Sequence, residues 1–274
     1  MSHSSRKFSD LPSLLDAMTT DTGRWHNDGF ARPWFRGHED AQYKLEPSVL
    51  RCGHLKREFD FTKKFRLMAP GFGPTPDTGR IDQWLFLMQH HGLPTRLLDW
   101  TESMLTAVFF ATQKARKEGD ADQDAAVFAL NPTELNRVSG LWSKQDQALF
   151  PNTWVQGRTL QTIKIAFGTA DESVGGKEIR PFKKPTAIFP SGVHPRVTAQ
   201  KSCFTLHGKD DRPMEDILLE DGSHDVVLRK YILDRGSVCE ISNSLASLGV
   251  TQTAVFPDLD GLAKDIKHSF GYFA

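Results

Sequence analysis

A chain of 274 residues is longer than an average domain, although a single α/β or α+β domain of this size is common. Its 39% hydrophobic and 25% charged residues are close to the averages for globular proteins, and its nineteen Phe and six Trp can fill a large core. Lysine plus arginine and aspartate plus glutamate both number 34, so the global charge gives no support for a nucleic-acid coat or a membrane-surface protein, and it leaves a local basic groove open.

The three cysteines, Cys52, Cys203 and Cys239, are far apart and include no Cys-x-x-Cys pair. This spacing favours a reducing compartment and argues against a zinc site. The chain has no apolar run approaching ~20 residues, and its first residues lack the apolar stretch of a signal peptide. We therefore expect a cytoplasmic protein without a membrane partner, and the sequence leaves its oligomeric state open.

Strand and helix patterns follow one another along the chain. Runs of β-branched and aromatic residues bounded by Gly, Pro or Asp predict strands at 33–38, 125–130, 186–189, 197–207 and 226–233, and a short one at 254–256. Apolar residues at helical spacing predict helices near 55–68, 104–112 and 238–248, with a final helix after Pro257–Asp258. These elements predict an α+β fold, in which helices surround a mixed, mostly antiparallel sheet.

Two segments rich in Pro and Gly, 70–79 and 171–185, are typical of loops within one domain. The first loop and the basic pair Lys183–Lys184 could contact a macromolecular target, but a plain linker and solvated charge explain them as well. We therefore treat residues 1–274 as a single domain.

The first chemically informative segment is Trp-Phe-Arg-Gly-His-Glu at 34–39. Strand alternation places Phe35 in the core and Arg36 with His38 on the opposite face. An arginine presents a rigid fork to phosphate, and a following glycine lets a ligand approach the backbone. The alternative is an arginine paired with a neighbouring carboxylate, with Gly37 as a bulge.

The second segment, residues 89–101, reads Gln-His-His-Gly-Leu-Pro-Thr-Arg-Leu-Leu-Asp-Trp-Thr. Gly92 and Pro94 predict a turn after the end of a helix or strand, followed by an extended stretch. The segment has more polar groups than a core element needs, which suggests a pocket wall. The side chains that need a partner or a ligand are those of His91, Thr95, Arg96, Asp99, Trp100 and Thr101.

Structural roles compete for several of these side chains. Asp99 with Glu102 three residues later resembles the cap of the following helix. Arg96 could lock the turn through an ion pair with Asp99. His90 and His91 have no further His or carboxylate at metal-binding spacing, so we expect no metal.

These segments resemble the FRG domain family of bacteria and phages. The resemblance rests on Phe-Arg-Gly at 35–37, on Gly-Leu-Pro-Thr-Arg-Leu-Leu-Asp-Trp-Thr at 92–101 and on Ala-Val-Phe-Phe-Ala at 107–111. It continues through 195–207 and 255–262. It implies one FRG domain over residues 1–274, with a core signature at 33–112, a C-terminal part at 186–274 and an association with defence against phages.

A second resemblance, carried by the aromatic-Arg-Gly strand and by residues 108–111, is to the ADP-ribosyltransferase superfamily. It implies NAD as the substrate, a split sheet, Arg36 as a clamp on the pyrophosphate or ribose, and stacking by His38, Trp100 or Phe109. Cleavage of the nicotinamide bond builds oxocarbenium character, so such a site also needs a carboxylate or an amide near the ribose hydroxyls.

The late catalytic glutamate of that superfamily has no obvious counterpart here. Glu240 is explained as part of a Ser-x-x-Glu capping box, and Glu215 lies in a polar segment that resembles a loop. Gln200 occupies about the right place in chain order, either as an orienting amide or as a buried amide that joins strands. The negative charge that the reaction needs could instead come from Asp99 or Glu102. Alternatively, the fold could bind a nucleotide without catalysing a transfer reaction.

Three functions follow from these interpretations. The first is an NAD-dependent ADP-ribosyltransferase-like effector, in phage defence or as a toxin, that modifies nucleic acid or protein; its catalytic candidates are Arg36, His91, Asp99 and Gln200. Its cofactor-binding candidates are Arg36, Gly37, His38, Thr95, Arg96, Trp100 and Phe109. The alternatives are a non-catalytic sensor of a nucleotide or phage component, and a nuclease or phosphoesterase, with or without metal, that uses His91 and Asp99 as acid and base.

Overall fold

The computed structural model describes residues 6–25, 32–53, 57–118, 121–140, 173–174, 177–178, 184–190, 199–208 and 210–271. Within these residues the fold is α+β, with a seven-stranded, mostly antiparallel sheet packed by helices on both faces. The predicted fold class is therefore confirmed.

The large sheet has the strand order β1-β9-β4-β2-β3-β8-β7, and its only parallel pair is β1 with β9. Strands β5 and β6 form a separate antiparallel pair. The strands are β1 (Lys7–Phe8), β2 (Trp34–His38), β3 (Leu97–Thr101), β4 (Ala125–Leu130), β5 (Ser173–Val174), β6 (Lys177–Glu178), β7 (Thr186–Ile188), β8 (Ser202–Leu206) and β9 (Leu228–Leu233).

The helices connect these strands and cover the sheet. They are α1 (Leu11–Gly23), α2 (Ser48–Arg51), α3 (Glu58–Met68), α4 (Ile81–His90), α5 (Met104–Ala111), α6 (Gln113–Glu118), α7 (Pro132–Val138), α8 (Met214–Glu220), α9 (His224–Val227), α10 (Val238–Ser247), α11 (Gln252–Val255) and α12 (Leu259–Ser269). Short 3-10 turns lie at Ala69–Gly71 and Arg235–Ser237. Among the described residues, no helix has the length and apolar character needed to cross a membrane.

Alternation along the strands divides the core into two layers. Phe35 and Val127 belong to the layer packed by α1, α5 and α10, while Trp34 and Phe128 belong to the layer packed by α7 and α8. Because successive strand residues point to opposite faces, Arg36 lies on the same side as Trp34. The predicted placement of Phe35 in the core is confirmed.

The sheet has one weak junction, between β2 and β3. Strand β2 pairs with β4 along its whole length, and β3 pairs with β8 along its whole length, but β2 and β3 share only the pair Phe35–Thr101. Beyond that pair, Arg36 Nη1 donates a hydrogen bond of 2.6 Å to the backbone oxygen of Asp99 and so bridges the gap. The sheet therefore consists of two halves, β1-β9-β4-β2 and β3-β8-β7, that separate at one end of their junction.

Predicted element positions are confirmed most closely in the sheet. The strand predicted at 125–130 coincides with β4, whereas the one predicted at 226–233 begins with the helical turn α9 before β9 starts. The strand predicted at 197–207 is shorter, because β8 begins at Ser202. Of the loop predicted at 171–185, the structure describes only 173–174, 177–178 and 184–185, so its remaining residues lie outside the described ones.

Three local predictions, all concerned with the ends of elements, were wrong. Residues 254–256 are not a strand, since Thr251 caps the helix α11 there. The predicted capping box is not formed, because Ser237 makes no side-chain cap to α10. Asp99 and Glu102 do not cap α5; its cap is Ser103, whose hydroxyl accepts a hydrogen bond from the amide of Thr106.

Candidate functional site

A pocket of about 500 Å³ lies where β2 and β3 separate. Its polar wall consists of Arg36, His38, Glu39, Arg51, Gln89, His90, Asp99, Thr101, Gln113, Gln200 and Ser202. Its aromatic wall consists of Phe35, Tyr43, Trp100, Phe110, Phe204 and Phe256, and Gly37 completes the lining. Cationic, anionic and aromatic groups therefore share one cavity of the size that small ligands occupy.

The structure brings most of the predicted site residues to this pocket. Those that line it are Arg36, Gly37, His38, Asp99, Trp100 and Gln200. Those that do not are His91, Thr95, Arg96 and Phe109. The catalytic and binding roles of the first group stay predictions, because position alone does not assign chemistry.

Arg36 is held in a fixed orientation where β2 and β3 separate. Its Nε donates a hydrogen bond of 2.8 Å to Nε2 of His38, and its Nη1 reaches the backbone oxygen of Asp99. Burial lowers the pKa of Arg36 to about 10, although the charge of Asp99 acts in the opposite direction. The guanidinium is therefore protonated at neutral pH, and within the described part of the chain its Nη2 has no hydrogen-bond partner.

His38 serves Arg36. Burial and the charge of Arg36 lower the pKa of His38 to about 3, so the imidazole is neutral at neutral pH. Its Nε2 accepts from Arg36, and its Nδ1 lies 3.3 Å from the backbone oxygen of Tyr43. The ring also meets Phe128 edge-on at a centroid distance of 5.2 Å, so the protein contacts both its nitrogens and its ring.

Asp99 presents its carboxylate to the pocket. Its Oδ2 accepts a hydrogen bond of 2.7 Å from Nε2 of Gln89, and Oε1 of Gln89 accepts one from the hydroxyl of Thr95. Enclosure by the protein raises the pKa of Asp99, while the charge of Arg36 and the hydrogen bond from Gln89 act in the opposite direction. Thr95, which lies outside the pocket, is thus linked to it through Gln89.

Arg96 has a structural role. Its Nε lies 2.9 Å from both carboxylate oxygens of Glu58, and its Nη2 forms an ion pair with the same carboxylate. Its Nη1 donates to the backbone oxygens of His207 and Gly208 at 3.4 and 3.3 Å. The ion pair considered between Arg96 and Asp99 is not formed, because Arg96 is buried against α3 instead.

Two predicted residues are displaced from the pocket by a single position on a helix. His91 is the residue directly after α4 and packs its ring against His90 and Phe65, whereas His90 lines the pocket. Phe109 is 1% exposed in the core, and Phe110 lines the pocket instead. Successive residues of a helix point about 100° apart, so the sequence placed the correct helices beside the site with the wrong residue facing it.

Gly37 is required for packing on the side of the strand away from Arg36. A Cβ at this position would lie 2.0 Å from the backbone oxygen of Ala107 and 2.4 Å from the backbone nitrogen of Ala111. Helix α5 therefore approaches β2 as closely as it does only because residue 37 has no side chain.

Gln200 lines the pocket, whereas Glu215 and Glu240 do not. Gln200 precedes β8, and its Nε2 donates to the backbone oxygen of Val255 at 3.3 Å. Glu215 lies in α8, not in a loop, and its carboxylate accepts from the backbone nitrogen of Leu45. Glu240 is exposed on α10. The carboxylates that reach the pocket belong to Asp99 and Glu39.

Sequence reasoning missed Arg51, Tyr43 and Phe256. Arg51 is the last residue of α2, is exposed, and its side chain has no partner among the described residues. No local motif identifies Arg51 as a site residue, because only the tertiary structure brings it to the pocket. Phe256 was detectable only as part of the segment 255–262 that carries the FRG resemblance, and its ring meets Phe110 edge-on at 5.9 Å.

Comparison with known proteins gives a family match for part of the chain. Residues 31–120 match the model of a family described as FRG domain. No curated protein and no solved structure matches the chain. The matched residues include β2, the segment 89–101 and α5, which together supply much of the pocket.

Proposed function

Because residues 31–120 of this chain match the model of the FRG domain family, we propose that the pocket binds NAD and cleaves its nicotinamide–ribose bond, in an ADP-ribosyltransferase-like effector of phage defence or toxicity. The acceptor of the ADP-ribosyl group would be nucleic acid or protein. The observation that carries the proposal is the convergence of two arginines, a carboxylate and an aromatic wall on one cavity of about 500 Å³.

The two arginines supply the anion site. Arg36 is oriented by His38 and by the backbone of Asp99, so it offers its remaining N–H groups without loss of conformational entropy. Arg51 adds an exposed charge with no partner among the described residues. Guanidinium groups bind phosphate oxygens through parallel N–H donors, and a pair of them suits the two phosphates of a dinucleotide.

The aromatic wall supplies stacking surfaces. Phe110 and Phe256 face the cavity together, and Phe204 and Tyr43 extend the wall. Base–aromatic stacking contributes about 1–3 kcal/mol per base and tolerates different bases. This wall suits the nicotinamide and adenine rings of NAD.

Asp99 supplies the negative charge that the reaction needs. In the proposed step the C1′–nitrogen bond of the nicotinamide ribose breaks and nicotinamide leaves with the electron pair. A carboxylate near the ribose then stabilises the oxocarbenium-like charge until an oxygen or nitrogen of the acceptor bonds to C1′ and loses its proton. The amide of Gln200 lies in the same lining and would orient the ribose hydroxyls.

One observation favours a second candidate, a sensor that binds a nucleotide without turnover. Gln200 lines the pocket at about the place in chain order where ADP-ribosyltransferases have their catalytic glutamate, and an amide carries no negative charge to stabilise an oxocarbenium ion. The nuclease alternative has weaker support, because His91 packs against Phe65 and His90 while Asp99 is bonded to Gln89. Its acid–base pair is therefore not assembled.

Release of nicotinamide tests the proposal. The purified protein is incubated with labelled NAD, with and without cell nucleic acid or lysate, and NAD affinity is measured separately by calorimetry. We expect Arg51→Ala to weaken NAD binding about tenfold or more, because a hydrogen bond to a charged group contributes about 1.5–3 kcal/mol. Arg137→Ala, on the exposed surface of α7, removes an equal charge outside the pocket and should leave binding unchanged.

The possible outcomes are distinct. Nicotinamide release that Asp99→Asn abolishes supports the enzyme, and NAD binding without release under any condition supports the sensor. Absence of both binding and release would overturn the proposal.

A further inference from the structure

A directed chain of hydrogen bonds joins the turn after α4 to the pocket. We propose that Thr95 and Gln89 are positioning residues that hold the Asp99 carboxylate as a hydrogen-bond acceptor and keep it ionised. The use of Asp99 in NAD cleavage rests on the proposed function, whereas the chain of contacts and its test do not.

The chain starts at a buried hydroxyl whose direction is fixed. Thr95 is 0% exposed, and its Oγ1 accepts a hydrogen bond of 3.1 Å from the backbone nitrogen of Leu97. A backbone N–H can only donate, so the single hydroxyl proton of Thr95 is free to go to Oε1 of Gln89. The backbone nitrogen of Thr95 donates to Oγ of Ser48 at 3.2 Å, which anchors the residue against α2.

The hydroxyl then fixes the Gln89 amide. With Oε1 accepting from Thr95, the NH2 group of Gln89 faces Oδ2 of Asp99 at 2.7 Å. The NH2 group favours the ionised form of Asp99, because a carboxylate oxygen accepts a hydrogen bond more strongly than the oxygen of a neutral carboxyl group. A proton on Oδ2 would face the NH2 group, and a proton on Oδ1 would remove the negative charge that strengthens this hydrogen bond.

Several charged and titratable groups act on the same carboxylate from the surrounding elements. Enclosure by the protein raises the pKa of Asp99, whereas Arg36 on β2 and Arg51 on α2 lower it together with Gln89. Cys203 on β8 interacts with Asp99 electrostatically, and His90 on α4 lines the same pocket. Because the raising and lowering contributions oppose one another, loss of the Gln89 hydrogen bond moves the balance toward the protonated form.

Direct titration of Asp99 tests the chain without any ligand. The carboxyl carbon of Asp99 is followed by ¹³C NMR across pH in the wild-type protein, Thr95→Val and Thr95→Ser. Valine matches the shape of threonine but cannot donate to Gln89, so we expect the proton affinity of Asp99 to rise about tenfold, which equals one pKa unit. Serine keeps the hydroxyl, so Thr95→Ser should stay within about twofold of wild type.

The outcomes separate positioning from packing. An unchanged titration in folded Thr95→Val overturns the proposal, and so does an equal shift in Thr95→Ser, because that result would indicate packing alone. If Thr95→Val does not fold, Gln89→Met on the partly exposed face of α4 removes the amide that donates to Asp99 and must raise the pKa of Asp99. In an enzyme that releases nicotinamide, the rising limb of the pH profile of Thr95→Val should also move to higher pH.

The positioning chain and the proposed NAD chemistry can be contradicted independently of each other. A protein that never binds or cleaves NAD still gives the Asp99 titration, and a protein that cleaves NAD with an unchanged Thr95→Val titration retains the function and loses the positioning chain.

Discussion

The two arginines that the sequence analysis placed among the binding candidates have different physical roles. Arg96 is buried and neutralised by Glu58, so it offers no charge to a ligand. Arg36 is bonded to neutral His38 and to a backbone oxygen, so its positive charge is not cancelled by a contacting carboxylate. At the residue scale, the identity of the partner decides whether an arginine stabilises the fold or can bind an anion.

Gly37→Ala is expected to destabilise the protein. The added Cβ would meet the backbone of Ala107 and Ala111 at 2.0 and 2.4 Å, and helix backbone cannot yield as a flexible side chain can. Overpacking of this kind costs about 1–3 kcal/mol or more, which urea unfolding would detect. Gly73→Ala is the matched control, since nothing lies within 4 Å of its Cβ; similar losses in both variants would contradict the packing role of Gly37.

At the scale of elements, a single carboxylate joins the last two helices. Asp265 on α12 accepts hydrogen bonds from the backbone nitrogens of Gln252 and Thr253, at 2.9 and 2.6 Å, at the start of α11. These are N–H groups that a helix cannot satisfy internally. Burial raises the pKa of Asp265, but the hydrogen bonds from Thr253, Thr251 and Gln252 outweigh it, and the net pKa is lowered.

Asp265→Asn should therefore show a pH-dependent loss of stability. A carboxyl group whose pKa is lower in the folded state stabilises it above the unfolded value, which is about 3.9, and this contribution disappears as pH falls through the folded pKa. We expect the variant to be less stable than wild type at pH 7 and the difference to shrink below about pH 4. Urea unfolding at several pH values measures this, with Asp211→Asn in an exposed turn as the control; a difference independent of pH would contradict the charge-based explanation.

At the scale of the whole molecule, the pocket is a consequence of incomplete strand pairing. The halves β1-β9-β4-β2 and β3-β8-β7 meet at one residue pair, and the cavity fills the space where pairing would otherwise continue. A ligand in this cavity contacts both halves and links them.

Hydrogen exchange can test this arrangement. We expect NAD at a saturating concentration to slow amide exchange in both β2 and β3, because a ligand that binds the closed junction opposes its local opening. Arg51→Ala at the same NAD concentration should show much weaker protection. Protection confined to one half of the sheet would place the ligand elsewhere.

Much of the fold is predictable because its patterns are local. Runs of β-branched and aromatic residues identified β2 and β4, and apolar residues at helical spacing identified α5 and α10. Helix caps were less predictable, because neighbouring side chains compete for them: Ser103 caps α5 where Asp99 had been expected. The apolar stripe of α3 was also misjudged, since Phe59 is 65% exposed.

The sequence by itself determined the FRG resemblance, the α+β class and the two segments that carry the pocket, because each depends on residues close together in the chain. Only the tertiary structure decided that β2 and β3 part after one pair, that Arg51 and Phe256 join them, and that Arg96 and Thr95 lie behind the pocket wall. The physical reason is that strand order and helix rotation arise from contacts distant in sequence, which no local pattern encodes.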